Sequence, residues 1–315
     1  MEYGILGRTG IRVSRLCFGS LTVGPLQANL PLREGARVIS SALDAGVNFI
    51  DTARLYLNYN YIREGIAGRA GSVVIATKSY DYTGEGVKES IEEALKSLDR
   101  DYIDIFLLHE QESDLTIRGH WEAVEELIRA RDKGTVRAIG ISTHSVRGVM
   151  AAAAVPEFDV IHPIINVKGI GIKDGSVEQM KAAIAGAAGA GKGLYGMKAL
   201  GGGNLISERK EALAFALSVP GLASVAVGMQ SPEEVLYNTA VFEGAEVPPE
   251  IERAVSQRNR RLHIEDWCAG CGQCVERCRS GALSLSGGKA VVSQEDCRLC
   301  GYCSTACEEM CIKII

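Results

Sequence analysis

The chain alternates between short apolar runs and segments with helical periodicity, and this alternation constrains its fold more than any other feature. Apolar runs without polar interruption are typical of strands that are buried on both faces, as in a parallel sheet. Strands that alternate with helices predict an α/β fold. Eight such pairs fit a closed (β/α)8 barrel. An open doubly wound sheet is the alternative, but no G-x-G-x-x-G segment follows the first strand.

We place the barrel strands at residues 15–18, 47–50, 73–76, 103–107, 136–141, 160–165, 193–197 and 223–227, each followed by a helix. A hairpin over residues 3–13 precedes them. Pro248 and Pro249 interrupt the alternation, and a charged helix over residues 250–261 leads out of the barrel. We therefore expect two domains, a barrel at residues 1–262 and a small α+β domain at residues 263–315.

Polar residues follow three consecutive strands of the predicted barrel. Asp51 and Tyr56 follow the second strand, Lys78 ends the third and His109 ends the fourth. The carboxyl ends of barrel strands meet at one face, where barrel enzymes build their active sites. A lone polar residue at a strand end is more often structural than functional. Four chemically complementary residues at successive strand ends favour a shared active site.

These four side chains suit one kind of chemistry. Tyrosine has an ordinary pKa near 10 and is a poor acid at neutral pH. A neighbouring lysine ammonium favours the phenolate and lowers that pKa, while a buried aspartate keeps the lysine charged. A neutral histidine can donate a hydrogen bond to a carbonyl oxygen. The set therefore suits protonation of a developing alkoxide, which is the acid half of carbonyl reduction.

A series of motifs runs through residues 1–245 in a fixed order: GRTG at 7–10, VSRL at 13–16, FIDTA at 49–53, TK at 77–78, DIFLLH at 104–109 and KGTVRAIGIS at 133–142. In this order they resemble the aldo-keto reductase superfamily. The resemblance implies that Tyr56 is the proton donor, that Lys78 and Asp51 tune its acidity, and that His109 orients the substrate carbonyl.

The resemblance also implies a nicotinamide dinucleotide, bound without a Rossmann unit. Segments 198–203 and 228–238 match the pyrophosphate loop and the adenosine segment. The family's asparagine, glutamine and stacking tyrosine are replaced here by Thr143, His162 and Met197. The implied dinucleotide-binding residues are Ser142, Thr143, His162, Met197, Lys198, Leu200, Gly201, Gly228, Glu234 and Asn238.

The identity of residue 234 bears on the choice between NAD(H) and NADP(H). The arginine that commonly meets the 2′-phosphate of NADP in the family falls on Glu234. A carboxylate repels a phosphate and can accept a hydrogen bond from a ribose hydroxyl. The sequence therefore favours NADH over NADPH.

Nine of the ten cysteines lie between residues 268 and 311, in two runs with the spacing C-x2-C-x2-C-x3-C. In a cytosolic chain, dense cysteines with regular spacing indicate metal binding rather than disulfides. This spacing is that of bacterial iron–sulfur ferredoxins. A zinc ribbon is the alternative, although it needs only paired C-x2-C knuckles and leaves the third cysteine of each run without a role.

The tail resembles the two-cluster bacterial ferredoxin domain over about 50 residues. The resemblance implies two [4Fe-4S] clusters, with the fourth cysteine of each run serving the other cluster. The implied ligand sets are Cys268, Cys271, Cys274 and Cys307 for one cluster, and Cys297, Cys300, Cys303 and Cys278 for the other. Arg279 and Glu308 stand where the family usually has proline. We expect Cys311 to be a buried small side chain rather than a ligand.

Composition limits the cellular compartment and the classes of partner that the sequence predicts. The net charge of -5 gives no basic field for nucleic acid or an anionic membrane. No apolar run approaches the roughly 20 residues that a membrane helix needs. The first ten residues have no signal-peptide character. We therefore expect a cytoplasmic protein without nucleic-acid or membrane partners.

The two predicted domains handle electrons differently, since a reductase moves a hydride and a cubane cluster moves one electron. We predict NAD(P)H-dependent reduction of a small aldehyde or ketone, with a ferredoxin-like domain that is structural or docks a redox protein. In a second hypothesis, electrons pass through the clusters into the barrel. In a third, the barrel is not an independent reductase, and the chain is a ferredoxin-linked electron-transfer or redox-sensing subunit.

Overall fold

The computed structural model describes residues 1–315 and contains a closed barrel of eight parallel strands. An antiparallel hairpin of β1 (Tyr3–Ile5) and β2 (Arg12–Ser14) precedes the barrel. The barrel strands are β3 (Leu16–Gly19), β4 (Phe49–Asp51), β5 (Val74–Ser79), β6 (Ile103–Leu108), β7 (Val136–Thr143), β8 (Val160–Pro163), β9 (Gly193–Gly196) and β10 (Leu222–Gly228). The barrel closes where β10 pairs with β3. The predicted (β/α)8 fold is confirmed.

Helices surround the barrel and continue into the C-terminal region. They are α1 (Leu32–Asp44), α2 (Tyr59–Gly65), α3 (Gly84–Leu98), α4 (Asp114–Gly119), α5 (Trp121–Asp132), α6 (Val146–Ala154), α7 (Val177–Gly189), α8 (Arg209–Ser218), α9 (Pro232–Phe242), α10 (Pro249–Ser256) and α11 (Gln273–Arg277). The predicted helix over residues 250–261 ends early, at Ser256. The chain beyond it turns back, because Arg258 and Arg260 pair with Glu234 on α9. No helix is long and apolar enough to cross a membrane.

Helix α3 shows how local sequence defines these elements. Thr83 accepts a hydrogen bond from the amide of Gly86 at 3.1 Å, which caps the first turn and is worth about 1 kcal/mol. The buried apolar residues of α3 recur at helical spacing and form one face against the barrel: Val87, Ile91, Ala94 and Leu98. The helix ends at Asp99, whose φ of 55° is left-handed.

Two apolar layers hold the barrel together. The larger lies between the strands and the helices. The smaller fills the barrel interior, with inward-facing residues such as Phe49, Leu107 and Tyr195. Leu6, Ile11 and Val13 of the hairpin belong to this interior layer. The hairpin therefore closes the amino-terminal end of the barrel and leaves the carboxyl ends of the strands as the open mouth.

The C-terminal region forms two small antiparallel sheets. Strand β11 (Leu262–Ile264) pairs with β14 (Ile312–Ile314), and β12 (Leu283–Ser286) pairs with β13 (Lys289–Val292). Both cysteine runs lie between β11 and β14. These strands and several cysteines share a separate apolar cluster. The domain boundary between residues 262 and 263 stays a prediction, since β11 spans it.

The C-terminal region packs directly on the mouth of the barrel. A Cβ added at Gly203, in the loop after β9, would overlap the carbonyl oxygen of Ile314 on β14. Met310 belongs to the large apolar layer of the barrel, where its side chain lies against Gly171. Strand β14 and the residues before it therefore form part of the wall of the mouth.

This close approach predicts that Gly203→Ala destabilises the protein more than a matched glycine change. Gly203 and Gly244 both have positive φ, 89° and 66°, so alanine is strained at either position by about 1–2 kcal/mol. Only Gly203 has backbone in the way, because nothing lies within 4 Å of a Cβ at Gly244. We expect Gly244→Ala to lower the melting temperature by about 2–4 °C and Gly203→Ala by at least twice as much. Equal shifts would show that β14 does not pack on this loop.

Candidate active site

A buried ion pair lies at the carboxyl end of the barrel. The ammonium of Lys78, on β5, donates to both carboxylate oxygens of Asp51 at 2.7 and 2.8 Å and to the carbonyl oxygen of Thr52 at 2.6 Å. The hydroxyl of Tyr195, on β9, donates to Asp51 Oδ1 at 2.9 Å. All three side chains are buried. The pair is thus fully hydrogen-bonded, as buried charges need to be.

His162 extends this network from β8. Its ring stacks on Tyr195 with centroids 3.8 Å apart, and Nδ1 contacts the carbonyl oxygen of Tyr195 at 2.6 Å. Its Nε2 lies 3.5 Å from Asp51 Oδ1. Burial lowers the pKa of His162 to about 4, although the nearby Asp51 opposes that shift. His162 is therefore neutral at pH 7.

Tyr56 projects from the turn after β4 into the mouth. The Lys78 ammonium lies 5.2 Å from the centre of its ring, and the His109 ring lies 6.0 Å away. The Tyr56 hydroxyl has no hydrogen-bond partner within the protein and faces the cleft. Burial, and then the charge of Asp51, raise the pKa of Tyr56 well above its usual value. This direction is opposite to the one expected from sequence, because burial and the Asp51 charge outweigh the effect of the Lys78 ammonium. Tyr56 is therefore held in its protonated form.

His109 lies behind Tyr56 at the end of β6. Its ring stacks on Tyr80, with centroids 4.2 Å apart, and its Nδ1 is buried without a hydrogen-bond partner. Burial, followed by the charge of Lys78, lowers the pKa of His109 well below its usual value. The structure thus brings the four predicted catalytic residues together around one mouth, with a neutral imidazole beside a protonated phenol.

A cleft opens from this mouth, and Asp51, Tyr56 and Glu234 are among the residues that line it. Six of the ten predicted dinucleotide-binding residues line it: His162, Met197, Lys198, Leu200, Gly228 and Glu234. The cleft therefore brings together more than half of the residues that the sequence predicts for a dinucleotide.

The other four predicted dinucleotide-binding residues do not line the cleft. Ser142 Oγ accepts a hydrogen bond from the amide of Glu110 at 3.0 Å. Thr143 Oγ1 accepts from the amide of Ser145 at 3.0 Å and so organises the loop before α6. Gly201 lies within the loop after β9, and Asn238 is buried on α9. Their roles stay predictions.

Glu234 is not a free carboxylate. It accepts from the amide of Gln230 at 2.7 Å, contacts Arg258 at 3.6 Å and pairs closely with Arg260. Glu234 therefore lies in ion pairs with two guanidinium groups, which the sequence argument for NADH did not include. The preference for NADH stays a prediction.

Some residues of the site were missed from the sequence. Tyr195, Arg260 and Lys313 all contribute to it. Tyr195 could have been found from strand alternation, because it points into the barrel two residues before Met197. Lys313 stands between two isoleucines in a short strand, which marks a charge on the opposite face from the apolar residues. His144 is only 7% exposed and contacts Lys198.

The eight predicted ligand cysteines line two cavities in the C-terminal region. Cys268, Cys271, Cys274 and Cys307 surround one of about 660 Å³. Cys278, Cys297, Cys300 and Cys303 surround another of about 340 Å³. Each cavity therefore takes three cysteines from one run and the fourth from the other, which is the crossed arrangement of two-cluster ferredoxins. Cys311 is buried beside the first cavity.

Hydrogen bonds reach several of these sulfurs. The amide of Ala290 donates to Cys268 Sγ at 3.5 Å, and that of Cys311 donates to Cys307 Sγ at 3.2 Å. A hydrogen bond from Ser280 lowers the pKa of Cys278. Donors of this kind stabilise thiolates and tune the potential of a bound cluster. The residues present therefore fit iron–sulfur clusters.

Comparison with known proteins agrees with this site. The aldo/keto reductase family model matches residues 15–211, and a 4Fe-4S binding domain model matches residues 262–284. The chain is 31% identical over 181 residues to the uncharacterized oxidoreductase YrpG and 29% identical over 184 residues to the aldo-keto reductase YhdN, both from Bacillus subtilis (strain 168). These alignments cover 50% and 53% of this chain and 54% of each relative, so the chain spans about half the length of the curated relatives it matches.

The crystal structure of a candidate aldo-keto reductase from Pseudomonas aeruginosa is similar as well. It superposes with a TM-score of 0.67 at 27% identity, over 77% of this chain and 95% of that one. The superposition therefore leaves 23% of this chain without a counterpart in that structure.

The buried imidazole predicts a pH dependence of stability that depends on residue 162. His162 has a pKa of about 4 when folded, against about 6.5 when unfolded. The unfolded chain therefore binds the proton first, and stability falls as the pH drops below 6.5. Between pH 7.5 and 5.5 this group alone removes about 1.4 kcal/mol.

Between pH 7.5 and 5.5, the free energy of unfolding of His162→Gln should fall by about 1.4 kcal/mol less than that of the parent protein. His109 and His144 stay buried in both proteins, and the charge of His162 is the smallest cause of the His109 shift, so the difference reports mainly on residue 162. Parallel curves for the two proteins in urea unfolding would contradict the expectation.

Proposed function

Because the chain belongs to the aldo/keto reductase family and carries a 4Fe-4S binding domain, we propose that it reduces the carbonyl group of a small aldehyde or ketone with Tyr56 as proton donor. One observation carries this proposal. The unpartnered hydroxyl of Tyr56 faces the cleft beside the buried Lys78–Asp51 pair. That arrangement positions a protonated phenol next to a fixed positive charge.

Each residue of the mouth has a separate role in the proposed proton transfer. A reduced nicotinamide, when bound, supplies a hydride to the carbonyl carbon. Tyr56 donates its proton to the carbonyl oxygen, and the Lys78 ammonium stabilises the phenolate that remains. Asp51, Thr52 and Tyr195 hold that ammonium in place. His109, neutral because it is buried, can donate a hydrogen bond to the same oxygen.

The residues along the cleft fit a dinucleotide. Met197 and Leu200 offer apolar contact near the mouth, and Gly228 permits close approach of a ligand to the backbone. Arg260 also lines the cleft, and its Nε is buried without a hydrogen-bond partner. We propose that Arg260 takes the 2′-phosphate of NADPH, and that NADPH is used at least as well as NADH.

In the C-terminal region we propose two [4Fe-4S] clusters, held by the two crossed sets of four cysteines. Their support is the pair of cavities and the sulfur hydrogen bonds. The domain serves the barrel structurally or docks a redox protein.

A second function is favoured by one observation, the packing of β14 on the mouth of the barrel. In this alternative the chain is a ferredoxin-linked electron-transfer subunit whose clusters exchange electrons with a ligand in the barrel. Anaerobic titration of the cluster-loaded protein with NADH and then NADPH, read by cluster absorbance and EPR, separates the two. Clusters that become reduced, without aldehyde turnover, would favour the second function.

The proton-donor role predicts that Tyr56→Phe loses carbonyl reduction. General acid catalysis contributes about 10²–10⁴-fold, so kcat for a generic aldehyde should fall by at least 10²-fold. The spectrum of the clusters should not change. Tyr82→Phe is the matched control, because Tyr82 is 65% exposed and outside the cleft, and it should keep full activity. Unchanged turnover in Tyr56→Phe would remove the proposed role.

The proposed phosphate contact predicts that Arg260→Met selectively weakens NADPH. Loss of a charge-assisted hydrogen bond should raise KM for NADPH about tenfold. KM for NADH should change less than twofold. Arg253→Met provides the control, since Arg253 is exposed on α10 away from the cleft. Equal increases in KM for both dinucleotides would show that Arg260 does not contact the 2′-phosphate.

A further inference from the structure

The C-terminal region contributes a buried lysine to the barrel cleft. In β14, Ile312 and Ile314 join the small apolar cluster of the C-terminal region. Strand alternation turns Lys313, between them, to the opposite face. There it is 3% exposed and lines the same cleft as Tyr56. A side chain from outside the barrel thus becomes part of the candidate active site.

Lys313 has a counterpart on the barrel side, Lys198 at the end of β9. Lys198 lines the same cleft, and its ammonium contacts His144 Nε2 at 2.9 Å. The ammonium of Lys313 donates to the carbonyl oxygen of Met310. An ammonium carries three donors. Since each lysine uses one within the protein, each has donors left for a ligand.

The surrounding carboxylates do not neutralise the two ammoniums directly. Glu110 and Glu265 are close enough to act on Lys198 and Lys313 through their charges. No carboxylate oxygen of either residue, however, lies near enough to either ammonium nitrogen to form an ion pair. Glu110 contacts His144 at 3.7 Å, and Glu265 contacts His263 at 3.2 Å.

Burial, and then the Lys313 charge, lower the pKa of Lys198 to about 7. Two buried ammonium groups that repel each other destabilise the folded protein unless an anionic ligand pairs with them.

The loop between the two lysines permits close approach. Gly202 lies against Lys313, and a Cβ there would come within 2.8 Å of Lys313 Cδ. Gly202 and Gly203 both have positive φ, 67° and 89°. A side chain in this loop would therefore displace Lys313 from the cleft. The loop geometry and the position of β14 together place the second ammonium in the cleft.

We propose that Lys198 and Lys313 form a binding site for an anionic group, phosphate or carboxylate, on a ligand in the barrel cleft. The C-terminal region thereby completes the active site. Compact ammonium groups form strong hydrogen bonds to anionic oxygens. The anionic group belongs either to the dinucleotide or to the carbonyl substrate. To that extent the inference rests on the proposed function.

Lys313→Met keeps the length of the side chain and removes its charge. The cluster-loaded full chain would be titrated with inorganic pyrophosphate by calorimetry. KM would be measured for 4-carboxybenzaldehyde and for uncharged 4-methylbenzaldehyde. A dinucleotide source predicts about tenfold weaker pyrophosphate binding. A substrate source predicts about tenfold higher KM for 4-carboxybenzaldehyde alone. Lys313→Arg should restore much of either loss.

Lys88→Met is the matched control, because it removes one positive charge from an exposed lysine that pairs with Glu92 on α3, away from the cleft. It should leave both quantities unchanged. Lys198→Met tests the same site from the barrel side, in case Lys313→Met does not fold. If the folded variants bind pyrophosphate and 4-carboxybenzaldehyde as the parent does, the anion site does not exist. Absence of aldehyde turnover would overturn the proposed function, whereas pyrophosphate binding that depends on Lys313 would still support the anion site.

Discussion

The rest of the site depends on the buried pair of Lys78 and Asp51. Burying one charge without its partner destabilises a protein by about 3–5 kcal/mol, so both residues and their hydrogen bonds have to be retained together. The pair links β4 to β5, and Tyr195 links it across the interior to β9. The barrel therefore cannot shift one of these strands without leaving a buried charge unsatisfied. The same rigidity fixes the positive charge beside Tyr56, on which proton transfer depends.

Much of the fold was predictable because local patterns report burial. Unbroken apolar runs placed all eight barrel strands within three residues of their observed bounds. The turn between β12 and β13 falls at the glycine pair 287–288, where both φ values are positive. Side-chain partners were less predictable, since sequence patterns do not show which distant residues meet. Arg260 pairs with Glu234 from 26 positions away, so the carboxylate on which the NADH prediction rests has a partner that the sequence pattern did not reveal.

The protonation state of Tyr56 illustrates the same limit. A nearby lysine lowers the pKa of a tyrosine only if its attraction for the phenolate exceeds the cost of burying that charge and the repulsion from neighbouring carboxylates. Here the ammonium is committed to Asp51 and Thr52, and burial decides the outcome. His109 and His162 also lose their positive charge through burial. The mouth thus combines the buried Lys78–Asp51 ion pair with neutral rings, a balance that depends on depth within the barrel and cannot be obtained from the identity of the residues alone.

The pairing of β11 with β14 has a consequence for the order in which the molecule matures. Both cysteine runs lie within the loop that these two strands close, and the outer face of β14 covers the barrel mouth. Because β14 follows that loop in the chain, Met310 and Lys313 reach the barrel only when the cysteine-rich loop has folded. Iron supply and oxygen exposure would thereby regulate the finished active site through assembly, without any change in the barrel.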